Sequence, residues 1–195
     1  MDTRNDVRLF ATVGTDHHRF DRMIEWVETW AADHGVAPEQ VLIQKGTSDT
    51  PTQCRSVDYF SSAELVAELD QADVVVCHGG PSTIMEARAR GHVPIVMPRD
   101  PARSEHVDGH QQAFAAHLAR HDAIHLADSP DTLGAGIDAV LAAGGRADHA
   151  LQLGDRDATL ATLGHLVDDL TSQPRRRLRL LRSASATLTT RGSRS

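Results

Sequence analysis

Short, nearly continuous apolar runs recur along the chain, separated by longer stretches in which apolar residues are spaced three or four apart. Residues 7–13 (VRLFATV), 41–44 (VLIQ), 73–77 (DVVVC) and 94–97 (PIVM) are the runs. Without polar alternation they predict strands covered on both faces, as in a parallel sheet. Between the first two, Phe20, Met23, Ile24, Val27, Trp30 and Ala31 recur at helical spacing, with Asp21, Arg22, Glu25 and Glu28 on the other side. Gly35 and Pro38 close that helix. A polar loop at 46–53 leads to a short strand at 56–60 and a helix at 63–71. The strand at 73–77 enters a turn and then a helix at 84–90, stopped by Gly91. Beyond 94–97 come a long loop, a helix at 110–120, a short strand at 123–126 and helices at 131–141 and 156–170. Strands alternating with helices predict an α/β, doubly wound parallel sheet of Rossmann-like type.

Charge divides the chain in two. The 195 residues carry 20 basic and 27 acidic groups, a net −7. Residues 173–195 hold seven Arg and no acid, so residues 1–172 stand at −14. An acidic body excludes a general nucleic-acid binder, which needs a basic face. The tail is Arg, Ser and Thr with little else and cannot bury enough apolar surface to order itself. The expected organisation is one domain at 1–172 and a disordered basic tail at 173–195. The tail either contacts anionic lipid or is a solvated end. Cys54 and Cys77 are too few for a disulfide framework, and Cys77 ends an apolar run, as a buried free thiol does. No apolar stretch is long enough to span a membrane and the N-terminus lacks a secretory pattern, so the expected location is cytoplasmic.

Ligands of open α/β sheets bind beyond the carboxyl ends of the strands. Three loops leave such ends, at 14–18, 78–83 and 99–110. The middle one, His78-Gly79-Gly80-Pro81-Ser82-Thr83, carries most information. Two glycines let a ligand approach the backbone, and Pro81 suits the entry to a helix. Ser82 and Thr83 place hydroxyls beside the free N–H groups of the first turn, an anion site to which the helix dipole adds about 0.3–1 kcal/mol. Glu86, one turn on, suits a pair of ribose hydroxyls. Taken alone, the same residues also describe a plain N-cap and tight turn.

Taken in order, GTDHHRFDRMI, QADVVVCHGGPSTIMEARARGHVPIVMPR and EHVDGHQQAFAAHL resemble the C-terminal, donor-binding domain of glycosyltransferase family 28. The resemblance covers most of residues 9–126 and implies the C-terminal half of a GT-B architecture. It is nearest in size to split enzymes, in which a short catalytic subunit pairs with a membrane-attached subunit that supplies the acceptor half. It implies that Gly14 and Thr15 face the diphosphate of a UDP-sugar donor, and that Gly79, Gly80, Ser82 and Thr83 hold that diphosphate; His78, by its position before Gly79, either lines the pocket or only caps the strand end. It places Glu86 on the uridine ribose, and His110 and Gln111 on the hydroxyls of the donor sugar. The main chain at Tyr59 and Phe60 falls where the family recognises uracil. Pro81 departs from the pattern, standing where many members carry a small flexible residue. The implied reaction inverts the anomeric centre by direct displacement and needs no metal or other cofactor.

Twelve histidines invite a metal reading. His106 and His110 have the spacing of a helical zinc pair, but Gly109 interrupts a helix across both. His17 and His18 lie on the first ligand-side loop. His17, like His110, is a candidate catalytic residue because imidazole titrates near neutral pH; polar loop residues facing solvent are the alternative. Asp155 and Asp157 open a helix rather than follow a strand and read as a cap. The expected function is the catalytic subunit of a hexosyltransferase acting with a partner chain on a lipid-linked acceptor. The alternative is a non-catalytic nucleotide-sugar-binding or regulatory module.

Overall fold

The structure, a computed structural model, describes residues 7–145. Six strands form one sheet: β1 (Leu9–Thr12), β2 (Val41–Gln44), β3 (Arg55–Val57), β4 (Val74–His78), β5 (Ile95–Met97) and β6 (His125–Leu126). Their order is β3-β2-β1-β4-β5-β6 and every pairing is parallel. Four helices lie between strands, α1 (Asp21–Asp33), α2 (Ser62–Gln71), α3 (Pro81–Ala89) and α4 (His110–Ala119), and α5 (Pro130–Ala142) follows β6. This is a Rossmann-like doubly wound fold.

The alternation of side chains along each strand explains the unbroken apolar runs. Leu9 and Ala11 of β1, Val74 and Val76 of β4, and Ile95 and Met97 of β5 point to one face, where α1 and α5 bury Met23, Val27, Leu133 and Ile137 over them. Phe10 and Val75 point the other way against Leu69 of α2 and Ala87 of α3. Cys77 and Val96 meet Ile84, Phe114 and Leu118 on that same face.

Several boundaries differ from the sequence reading, each for a local reason. Helix α3 begins at Pro81 rather than residue 84, because Pro81, Ser82 and Thr83 form a polar first turn that leaves no apolar periodicity. Helix α2 is capped by Ser61, whose Oγ accepts from the Glu64 N–H while the Glu64 carboxylate accepts from the Ser61 N–H. Strands β3 and β6 are shorter than predicted, as suits the two edges of the sheet.

Two residues assigned to the solvent side of α1 are engaged instead. Arg22 reaches the loop after β5, and the carboxylate of Glu28 accepts from the main-chain N–H groups of Thr52, Gln53 and Cys54. His92 is buried, with Nε2 2.7 Å from the Leu69 carbonyl. Cys54 and Cys77 are both free and buried. No helix among the described residues is long and apolar enough to cross a membrane. The helix predicted at 156–170, the boundary at 172, the tail and the acids Asp155 and Asp157 lie outside the described residues.

Candidate functional site

Strand order reverses between β1 and β4, so the loops leaving their carboxyl ends face each other across the switch point. His78 closes β4, and its ring lies between Gly14 of one loop and Gly80 of the other. A Cβ on either glycine would overlap the imidazole. Gly14 also has φ +81°, which a side chain would strain, whereas Gly80 has an ordinary φ of −75° and is needed for space alone. The Nδ1 atom of His78 is shut off from solvent without a hydrogen-bond partner. Burial and the nearby Arg99 guanidinium push its pKa down to about 4, against smaller opposing effects of the Thr12 main chain and Asp16. The imidazole is therefore neutral at pH 7.

Helix α3 starts beside that ring. Gly80 is its N-cap and offers no side chain, and Pro81 at the first helical position has no N–H. The main-chain N–H groups of Ser82 and Thr83, with their hydroxyls, form the polar end of the helix. Ser82 is exposed and Thr83 half-buried. Glu86 lies one turn further along and pairs with Arg90, which also reaches Asp70.

Below the loops lies a residue not singled out in the sequence. Arg99, two residues past β5, is fully buried and binds main chain from three places. Its Nη1 donates to the carbonyls of His18 (2.7 Å) and Glu105 (3.0 Å), and its Nη2 donates to the carbonyl of Val13 (2.8 Å). Its own N–H donates to Oε1 of Gln111 at 3.3 Å. Gly79 makes room for that arrangement, since a Cβ there would lie 2.8 Å from the Gln111 Cβ. The guanidinium thus fixes the loops after β1 and β5, and the Arg99 main chain holds the start of α4. No local spacing announces such a residue; the only sequence signal is a charge following directly on a buried strand.

The remaining predicted residues divide between this cluster and its rim. Thr15 is exposed at the tip of the first loop. His17 is 84% exposed, with Nδ1 3.3 Å from the Asp16 carboxylate. His110 is 67% exposed; its Nδ1 lies 2.8 Å from Asp108, which also accepts from the His110 N–H. Asp16 accepts from both the N–H (2.8 Å) and the ring Nδ1 (2.6 Å) of His18. Burial would raise its pKa, but these hydrogen bonds and Arg99 outweigh that and bring it down to about 2. The Phe60 ring is partly buried and packed edge-on against Phe10 at 5.9 Å, while Tyr59 is exposed.

A cavity of about 480 Å³ lies elsewhere, along the outer side of α1 and the loop after β2. Asp21, Glu25, Glu28, Asp33 and Asp49 line it. That concentration of carboxylates opposes a phosphate ligand, so the anion-suited chemistry stays at the switch point.

The fold is a Rossmann-like domain in which α3 begins at the switch point between β1 and β4. Residues 8–161 match the model of the glycosyltransferase family 28 C-terminal domain, and the chain belongs to that family. Over 101 residues it is 31% identical to the UDP-N-acetylglucosamine--N-acetylmuramyl-(pentapeptide) pyrophosphoryl-undecaprenol N-acetylglucosamine transferase of Bdellovibrio bacteriovorus. That match covers 51% of this chain and 26% of the relative, so the chain spans about a quarter of the length of the curated protein it matches. Among solved structures, the glycotransferase of kitacinnamycin shares the fold with a TM-score of 0.52 and 19% identity, over 87% of this chain and 44% of that one. Acinetobacter baumannii MurG aligns over 70% of this chain and 42% of its own, with 18% identity and a TM-score of 0.49.

Proposed function

We propose that this chain is the donor-binding, catalytic half of an inverting glycosyltransferase that moves a hexose-type sugar from a UDP-sugar to a lipid-linked acceptor. The observation that carries this reading is the pairing of Gly14 and Gly80 about His78, which sets the first loop beside the α3 N-terminus. Family membership and the relative's printed activity support the same reading.

In this reading the donor diphosphate lies over Gly79 and Gly80 and accepts from the N–H and hydroxyl groups of Ser82 and Thr83, with Thr15 on its other side. The acceptor hydroxyl attacks the anomeric carbon while the bond to the diphosphate oxygen breaks. The hydroxyl proton passes to a base, for which His17, held beside Asp16, and His110, held by Asp108, are the candidates. Negative charge grows on the leaving diphosphate, where preorganised N–H groups and the helix dipole stabilise it. Glu86 takes the ribose hydroxyls with the oxygen that Arg90 leaves open. Gln111 has its carbonyl oxygen fixed by the Arg99 N–H, which leaves its amide to donate to a sugar hydroxyl. His110 reads a neighbouring hydroxyl. No metal is assigned to the step.

The described residues form one six-stranded unit, and the acceptor half is assigned to a membrane-attached partner chain at the cytoplasmic face. The test is transfer from radiolabelled UDP-sugars to membrane extract, with and without a co-expressed candidate partner. Partner-dependent product supports the whole reading, and transfer by the purified chain alone to a soluble acceptor removes the partner. UDP binding without transfer under any condition leaves the non-catalytic binding module. UDP binding unchanged in both Thr83→Ala and Glu86→Ala overturns the placement of the site.

A further inference from the structure

We propose that the cavity along α1 is a dock for the chain's own basic segment, residues 174–182. This inference stands apart from the donor reading. The cavity, of about 480 Å³, lies between the outer side of α1 and the loop after β2. Five carboxylates line it, and among the described residues no basic side chain does. Three of the five are used by the fold: Glu28 holds the N–H groups of residues 52–54, and Asp21 and Asp49 share Arg19. Glu25 and Asp33 are exposed and form no ion pair among the described residues.

Two features of α1 favour a cationic occupant over a merely solvated acidic face. Asp21 and Glu25 are like charges one turn apart, a pairing that weakens a helix. Asp33 stands in the last turn, which holds no basic residue, so a carboxylate meets the negative end of the helix dipole. A cation laid along α1 relieves both. The segment at 174–182, PRRRLRLLR, supplies Arg175, Arg176, Arg177, Arg179 and Arg182 and no acid. Guanidinium forks match carboxylates, and their stems lie along apolar groups such as Ile24 and Ala32 of the cavity. The segment is also within reach. The last described helix, α5, packs beside α1, and a Cβ on Gly134 would lie 3.4 Å from Cδ1 of Trp30. Residues 146–173 lead from there to the segment. A coiled chain of that length spans about 30 Å, and α1 is roughly 20 Å long. Tethering gives the segment a high local concentration at the cavity. An anionic membrane is the rival surface, but residues 1–172, at −14, are repelled by it.

The test places a nitroxide on Ser183→Cys in the full chain and reads the loss of main-chain amide signals by NMR. The native thiols are buried and stay unlabelled. At about 0.1 M salt, Glu25, Asp33 and Thr50 are expected to lose intensity, while α2, on the opposite face of the sheet, keeps its signals. Salt at about 1 M, where fields reach only about 3 Å, is expected to restore them. The near-isosteric Glu25→Gln with Asp33→Asn, which breaks no ion pair, is expected to restore them too. Glu39→Gln with Glu68→Gln removes the same charge elsewhere on the surface and is expected to change nothing. A second arm mixes isotope-labelled chain lacking the nitroxide with spin-labelled chain lacking the isotope, and no loss is expected there. A third arm sediments the chain with phosphatidylserine vesicles. Absence of loss on α1 overturns the proposal, and sedimentation with the vesicles would then assign the segment to a membrane. Loss between separate chains overturns it as well. So does loss that persists in the folded Glu25→Gln, Asp33→Asn variant, or that disappears in the Glu39→Gln, Glu68→Gln variant.

Discussion

Arg22 and Glu105, 83 positions apart, are joined by two parallel hydrogen bonds, Nε to Oε1 at 2.8 Å and Nη2 to Oε2 at 2.7 Å. Both side chains are largely buried, and Glu105 accepts in addition from the Asp100 N–H at 2.8 Å. The pair clamps α1 to the loop after β5, above the guanidinium of Arg99. Removing one partner leaves the other buried and unpaired. Glu105→Ala is expected to lower stability by about 3 kcal/mol in urea denaturation. A change under about 0.5 kcal/mol would show that the clamp adds nothing to the fold.

The glycines around His78 make a sharper test, because Gly80 has ordinary backbone angles and only the imidazole forbids a side chain there. Gly80→Ala is expected to cost roughly 1–3 kcal/mol through overpacking. In the double variant with His78→Ala most of that cost disappears, since the overlapping atoms are gone. Gly14→Ala is not rescued in the same way, because its φ of +81° remains. Additive losses for Gly80→Ala and His78→Ala in thermal or urea unfolding would refute the contact.

The shifted pKa values of His78 and Asp16 both make the fold less stable as acid is added. His78 ionises near 6.5 in an unfolded chain but at about 4 in the fold. The unfolded state therefore takes the proton first. The stability linked to this group is whole above pH 6.5 and is lost as pH falls to 4, a change on the order of 3 kcal/mol. Asp16 extends the loss from its ordinary 3.8 down to about 2, with an effect on the order of 2 kcal/mol. His78→Gln is expected to flatten the stability profile between pH 6.5 and 4, and Asp16→Asn between pH 4 and 2. Profiles parallel to the unsubstituted protein would refute both assignments.

Burial raises the Cys77 thiol to about 12, and burial with the Glu28 carboxylate raises Cys54 to about 11. Neither is expected to react with iodoacetamide at pH 8 in the native protein. Glu28→Ala releases the loop that presents Cys54, because the lost carboxylate held the N–H groups of residues 52–54. Mass spectrometry should then show alkylation of Cys54 while Cys77 stays protected beneath α3 and α4. Equal labelling of both would mean global unfolding instead.

The strands, their parallel arrangement and the loops that meet at the switch point were legible because a sheet covered on both faces writes itself as apolar runs. Gly79, Gly80, Ser82 and Thr83 were legible as a loop entering a helix, though not the helix start itself, since a polar first turn has no hydrophobic period. Arg99, Arg22 and Glu105 were not legible. Each acts through partners in distant loops, and an arginine hydrogen-bonded to main-chain carbonyls has no spacing rule. Arg22 and Glu28 fell on the polar face of a helical pattern, and that pattern cannot tell solvent from a loop packed on the same side.

Five carboxylates flank the cavity on α1, and the whole chain is at −7. If the proposed donor is a nucleoside diphosphate, that net negative charge opposes it at long range, and the attraction offered by the α3 N–H groups acts only at short range. Salt, which shortens the range of such fields to about 8 Å at physiological strength, then speeds the arrival of the donor instead of slowing it. Capture becomes a short-range event governed by hydrogen-bond geometry, and a donor already concentrated by a neighbouring surface or subunit gains most from it.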